Sequence, residues 1–240
     1  MAELTEDEKQ AKIDELMDAF GPEDLHPDLV PHLTDGRIGR VLSHPLAVHV
    51  MYHEQSNKLI NRAYLHKKEA VEKAREAADW ERFVFLHERP YRIDALETVL
   101  FEEEVSDPDR IWPLIAGVWI DSENIWQCLN QWVDIWNSEG HAHSVFMEDD
   151  EIETFKALPD TITVWRGVAH RESVEGMSWT VDKAKAEWFA RRFAGGEGRT
   201  PLLVEGTVSK RDVLAYFSNR GESEIVAFPE DVHVENVFNV

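Results

Sequence analysis

Three short stretches carry side chains able to do chemistry: VWRG at 164–167, MSWT at 177–180 and RGESEIVAF at 220–228. In the first, Arg166 follows an aromatic residue at the end of an apolar run and offers a planar, always-charged fork of N–H donors. Its plain reading is a strand-edge arginine paired with one of many nearby acids. In the second, Ser178 and Thr180 alternate and lead straight into VDKAKAEWFARRF. Hydroxyls in that place commonly cap the next helix. In the third, Glu222 and Glu224 stand two residues apart, which on an extended segment turns both carboxylates to one face. Taken alone, that pair reads as a solvated turn.

The elements that must position these groups change character along the chain. In the back half, TITVW (161–165), PLLVEGTV (201–208), VLAYF (213–217), SEIVAF (223–228) and VHVENVF (232–238) are short, β-branched or aromatic, and bounded by Gly, Pro, Asn or Asp. That is the signature of strands, with one helix predicted over 182–194. The front half reads as helical. Thr5 with Glu8 forms a capping box for a helix running to Phe20, which Gly21 and Pro22 end. From Asn57 to Trp80 apolar residues recur at steps of three and four, the spacing of a long amphipathic helix. Asp121 or Ser122 caps another, which carries Ile125, Leu129, Trp132 and Trp136 on one face, and Cys128 within it reads as a small core residue. Between the halves, the polar and charged stretch 137–153 is the candidate linker. The expected organisation is a helical acidic lobe over 1–150 and a β-rich core over 151–240.

A chain of 240 residues that is 43% hydrophobic can bury a sizeable core without disulfides or metal staples. The net charge of −22 argues against direct nucleic-acid or anionic-membrane binding. It is uneven: residues 1–158 carry a net of −19 and residues 159–240 only −3. A single cysteine, an acidic N-terminus and no apolar run long enough to span a bilayer suit a cytoplasmic protein. Among the eleven histidines, His141 and His143 lack partners at metal-ligand spacing, and no metal site is expected. EDDEIE at 148–153 lacks the glycine and spacing of a calcium loop.

Ser178 follows Arg166 by 12 residues, and Glu224 follows Ser178 by 46. In this order the three pieces resemble the R-S-E class of ADP-ribosyltransferases, whose members carry an Arg, then S-T-S or a variant, then E-x-E. The resemblance covers roughly residues 160–240 and implies an α+β protein: a helical N-terminal lobe packed on a C-terminal, ADP-ribosyltransferase-like split β-sheet. It implies transfer of ADP-ribose from NAD to a side chain of an intracellular protein, with release of nicotinamide. Glu224 would hold the ribose 2′-hydroxyl and stabilise the oxocarbenium-like state. Glu222 would orient and deprotonate an arginine acceptor. Arg166 would serve the NAD pyrophosphate or adjacent ribose, with Gly167 beside it in the cofactor site. Ser178 would position Glu224 and the nicotinamide ribose, and Thr180 would steady the strand and start the helix. Trp179 departs from the small middle residue of S-T-S and is expected to pack in the core.

In the loop RRFAGGEGRTP (191–201), the resemblance gives Arg192 or a neighbouring arginine to the phosphates, against a plain flexible connection. In the loop before the glutamates, Tyr216, Phe217 and Arg220 are candidates for touching the target protein. The whole looks like a phage or bacterial effector, its acidic lobe suited to a basic, nucleic-acid-associated partner. Two alternatives stay open: a non-enzymatic acidic inhibitor of a nucleic-acid-binding partner, and an NAD glycohydrolase that uses water as acceptor.

Overall fold

The structure is a computed structural model that describes residues 5, 21–123, 125–138, 146–195, 199–218 and 221–240. The capping box at Thr5 and Glu8, the helix to Phe20, His141, His143, Gly196, Gly198 and Arg220 fall wholly or partly outside them. The protein is mixed α and β with antiparallel sheets. It divides into two compact units, Met1–Val99 and Leu100–Val240. The boundary therefore lies some fifty residues before the expected one, and the tryptophan-rich helices belong with the large sheet.

The first unit is not purely helical. Three short antiparallel strands, β1 (Leu33–Gly36), β2 (Gly39–His44) and β3 (Ala47–His49), precede its main helix. Helix α1 (Asn57–Glu76) follows the predicted spacing, with Ile60, Tyr64, Val71 and Ala74 buried. It stops short of Trp80. Ala78 takes a left-handed φ of 51°, and Asp79 caps a separate helix, α2 (Trp80–Leu86), by accepting from the Arg82 amide. A third helix, α3 (Arg92–Glu97), ends the unit.

In the second unit, α4 (Pro108–Asp121) starts at Asp107, whose side chain accepts from the Asp109 amide. The predicted helix after Ser122 is a 3-10 turn, Ile125–Cys128, followed by α5 (Leu129–Trp136). Cys128 is half-buried and not a core residue. Trp112, Trp119, Trp132 and Trp136 are each at most 2% exposed and form one aromatic cluster with Phe146 and Phe217. The end of the predicted linker is helical as well. Helix α6 (Asp149–Ala157) opens with a capping box between Glu148 and Glu151, and Lys210 Nζ caps its far end by donating to the carbonyls of Lys156 and Leu158.

The six remaining strands are β4 (Thr161–Val168), β5 (Ser178–Thr180), β6 (Leu202–Ser209), β7 (Val213–Phe217), β8 (Glu224–Ala227) and β9 (Val232–Asn239), with α7 (Lys183–Phe193) between β5 and β6. They form one sheet in the order β7-β8-β5-β4-β6-β9, every neighbour antiparallel. The pairing is uneven. β4 is bonded to β6 along its whole length, yet it meets β5 at one partner pair, Trp165 with Thr180. The sheet is thus nearly divided at its middle. No helix among the described residues is long and apolar enough to cross a membrane.

Candidate functional site

The groups of interest gather where β4 and β5 part. At this point the backbone ladder is too short to fix the strands, and a side chain takes over. Arg166 on β4 donates from Nη1 to the carbonyl of Ser178 on β5 at 2.6 Å, and from Nε to the carbonyl of Ser173 at 3.3 Å. Gly176 makes room for the fork, since a Cβ there would sit 2.6 Å from Nη2. Burial brings the guanidinium down to about 10, against the pull of the Glu224 charge, so it stays cationic at neutral pH.

On the other side of β5, the register sets Ser178 and Thr180 against Val226 and Glu224 of β8. Ser178 Oγ donates to Glu224 Oε1 in a short hydrogen bond. The side chain of Trp119, on α4, lines the cleft beside this carboxylate. Although one side of Glu224 is open, protein atoms surround the rest closely. Burial pushes its carboxyl up to about 7, while the Ser178 hydrogen bond and the neighbouring Trp119 side chain hold it down, Glu222 adds to the rise and Arg166 opposes it. A carboxyl poised near neutrality and held by a hydroxyl of the neighbouring strand suits electrostatic work on a cation better than it suits a solvated turn.

Thr180 and Ser178 have different duties from helix capping. The cap of α7 is Asp182, whose Oδ1 accepts from the amides of Ala184 and Lys185 at 2.9 and 3.2 Å. Thr180, buried, donates from Oγ1 to the carbonyl of Glu222 at 2.5 Å and accepts from the Asp182 amide at 3.0 Å. It fastens the turn before β8 to β5. That turn is not extended: Gly221 and Ser223 have φ of 61° and 46°. Glu222 and Glu224 therefore reach the same cleft through a left-handed kink, and not by the alternation of a strand.

The cleft itself has a volume of about 380 Å³, within the usual range for ligand sites. Arg166, Gly167, Ser178, Thr180, Arg192, Glu222 and Glu224 all line it. Gly167 has a packing duty besides. A Cβ there would lie 2.0 Å from the Ala186 carbonyl oxygen and 2.5 Å from the Ala190 amide nitrogen, so glycine lets α7 rest directly on β4. Of the three loop arginines, Arg192 and Arg199 face the cleft, Arg192 also lying over the Trp188 ring at 5.2 Å. Arg191 instead pairs with Glu187 along the helix at 3.7 Å. Trp179 is 2% exposed and donates to the Gly176 carbonyl at 2.7 Å, as a core residue.

Two expectations need correction. Tyr216 and Phe217 are 4% and 1% exposed on β7 and cannot meet a target protein. Phe217 joins the aromatic cluster through Phe146, and just beyond it Ser218 donates from N and Oγ to the buried Glu151 Oε1 at 2.7 and 3.1 Å. Sequence reasoning also missed a wall of the cleft: Trp119, Ser122, Glu123, Ile125 and Trp126. The signal was present. Asp107 before Pro108 is a helix start with proline at its first position, and Ile111, Ile115, Val118 and Trp119 keep helical spacing. Pro113 inside the run disguises it.

Among the described residues, no cluster of His, Cys, Asp or Glu is placed to hold a metal ion. No family model matches the chain, and neither does any curated protein or solved structure.

Proposed function

We propose that this protein is an NAD-dependent mono-ADP-ribosyltransferase with a protein arginine as acceptor. The observation that carries the reading is the Ser178–Glu224 hydrogen bond across β5 and β8, with Arg166 bound to the carbonyl of that same serine and Glu222 in the same cleft. The R-S-E order is matched by three side chains converging from three strands or their ends. Arg192 and Arg199 add positive charge suited to the pyrophosphate, so the cleft residues fit NAD as substrate.

In this reading the bond from the ribose C1′ to nicotinamide breaks, its electron pair leaving with nicotinamide. The positive charge that grows on the ribose is met by the Glu224 carboxylate, whose rotamer Ser178 fixes. Arg166 holds the β4 edge of the cleft and offers its remaining N–H groups to the anion. An acceptor guanidinium nitrogen then attacks C1′ and gives its proton to Glu222. The sixfold-stranded frame supplies orientation, with few groups needed for chemistry.

The test is to incubate the protein and a Glu224→Ala variant with labelled NAD and a cytoplasmic lysate, following label on protein and nicotinamide release together. Label on a discrete band that vanishes in the variant supports the transferase. Nicotinamide release without labelled protein replaces it with a glycohydrolase. Neither product in several lysates, with the variant keeping any inhibitory effect on a partner, rejects the enzyme in favour of the acidic binding protein.

A further inference from the structure

We infer that Glu151 is a positioning residue for Glu222: from helix α6 it anchors the turn that carries this second cleft carboxylate. Glu151 is 2% exposed, and among the described residues no other acidic or basic residue is so little exposed. Both of its side-chain oxygens are used. Oε1 accepts from the Ser218 amide at 2.7 Å and from Ser218 Oγ at 3.1 Å, and Oε2 accepts from the Glu148 amide at 3.0 Å. The capping box of α6 needs only the last of these. Burying a carboxylate costs free energy unless donors meet it, and a helix start does not require that burial. The two bonds to Ser218 do, since they join residues 67 apart along the chain.

Ser218 stands where β7 gives way to the turn. β7 lies at the edge of the sheet and pairs with β8, with a register slip between Val213 and Ala215. Helix α6 brackets this edge strand. Lys210, before β7, donates to carbonyls at the far end of the helix, and Ser218, directly after β7, donates to its first turn. From Ser218 hydrogen bonds lead on to the cleft. The Ser218 carbonyl accepts from the Gly221 amide at 3.1 Å, a bond that spans Asn219 and Arg220, which lie outside the described residues. The Glu222 carbonyl then accepts from Thr180 Oγ1 at 2.5 Å, and the Ser223 carbonyl from the Val181 amide at 3.2 Å. The turn is thus held at its exit by β5 and at its entrance by Glu151. Ser223 is left-handed without being glycine, and such a conformation persists only where its surroundings fix it. Glu224 depends less on this anchor, because Ser178 and the β5–β8 ladder hold it directly.

The catalytic consequence rests on the transferase reading; the anchor itself does not, and the experiment separates them. Glu222 serves the acceptor and Glu224 the ribose, so loosening the turn should harm transfer and spare cleavage of NAD. Glu151→Gln keeps the shape and removes one acceptor atom: its amide oxygen can face Ser218 or the Glu148 amide, not both. With labelled NAD and arginine methyl ester as acceptor, this variant should form labelled ester about 10-fold more slowly, as expected for a lost hydrogen bond to a charged group. Its hydrolysis of NAD, measured without the ester, should stay within about two-fold of the wild type, because Glu224 keeps its own support. Ser218→Ala, which gives up only the hydroxyl, should lose about 2- to 5-fold in transfer, again with hydrolysis spared. Equal losses of transfer and hydrolysis, tracking a fall in melting temperature, would make Glu151 a packing residue and overturn the inference. Amide exchange tests the anchor without turnover: in Glu151→Gln it should quicken about 10-fold or more at Ser218 and Gly221 together, while the β8 amides keep their protection. If Gly221 does not follow Ser218, the inference is overturned as well. Quickened exchange in a protein that labels neither the ester nor a lysate protein would keep the anchor and reject the transferase.

Discussion

A pair of histidines in the first unit and a glutamate in the second respond to burial in opposite directions. In the first, His44 and His87 are half-buried and desolvation lowers their proton affinity, with His32 adding to the effect at His44. In the second, the same desolvation raises that of Glu224 to about 7. Burial penalises charge of either sign, so a histidine gives up its proton and a carboxyl keeps one. The consequences for stability differ in sign. The histidines bind protons less well folded than unfolded, so the first unit loses stability as pH falls from the unfolded histidine value of 6.5. Glu224 binds its proton better folded, so the second unit loses stability as pH rises from 4.5 through about 7.

Local geometry explains why His44 belongs in its neutral form. His26, His44 and His53 each accept, through Nδ1, the backbone amide two residues ahead, at 3.2, 3.0 and 3.3 Å. A protonated ring cannot accept at that atom. Histidine thus does in these turns what asparagine does elsewhere. Asp28 stands apart, held down to about 2 by hydrogen bonds from Lys68 and Tyr64.

The largest test of the contrast is Glu224→Gln. On the proposed function, turnover should fall by on the order of 10²–10³, while stability above pH 8 should rise by roughly 2–3 kcal/mol because a burdened charge is gone. Thermal melts at pH 5 and 8.5 check this: the gain belongs at the higher pH alone. Next is Gly167→Ala. Its methyl collides with the backbone of α7, and a loss of about 1–3 kcal/mol is expected with no pH dependence, read by urea denaturation at both pH values. Arg192→Ala removes an exposed charge at the cleft mouth and should raise KM for NAD only about 2- to 5-fold, the scale of exposed charge interactions, in steady-state kinetics. The smallest effect falls on His44→Gln, which should flatten the acid-side slope of the first unit's melting and leave the pH profile of turnover where it was. Should that variant move the turnover profile, the separation of the two responses is wrong.

How far the sequence could be read follows the same physics. Val213–Phe217 forms over the residues predicted, and four further strands lie within a few residues of theirs, because β-branched blocks between turn residues leave little choice. The first unit's sheet was illegible: β1 has one half-buried residue followed by three exposed ones, with no alternation to see. Tyr216 and Phe217 looked like loop-edge aromatics, and only their burial on β7, with Phe217 packed against Phe146, shows otherwise. Arg166, Ser178 and Glu224 could be picked out by type and order. The left-handed Ser223 that turns Glu222 into the cleft could not, since serine seldom adopts that conformation. Nor could Trp119, which lines the cleft from a helix that Pro113 disguises.

The single backbone pair between β4 and β5 has a mechanical consequence. With Trp165 opposite Thr180 as the sole rung, Arg166 is a rivet through a seam, and the groups on either side of it keep register only while it holds. Amide exchange should be fastest along that line, and an anion gripping the same guanidinium should slow it, making occupancy of the cleft readable as stiffness of the sheet.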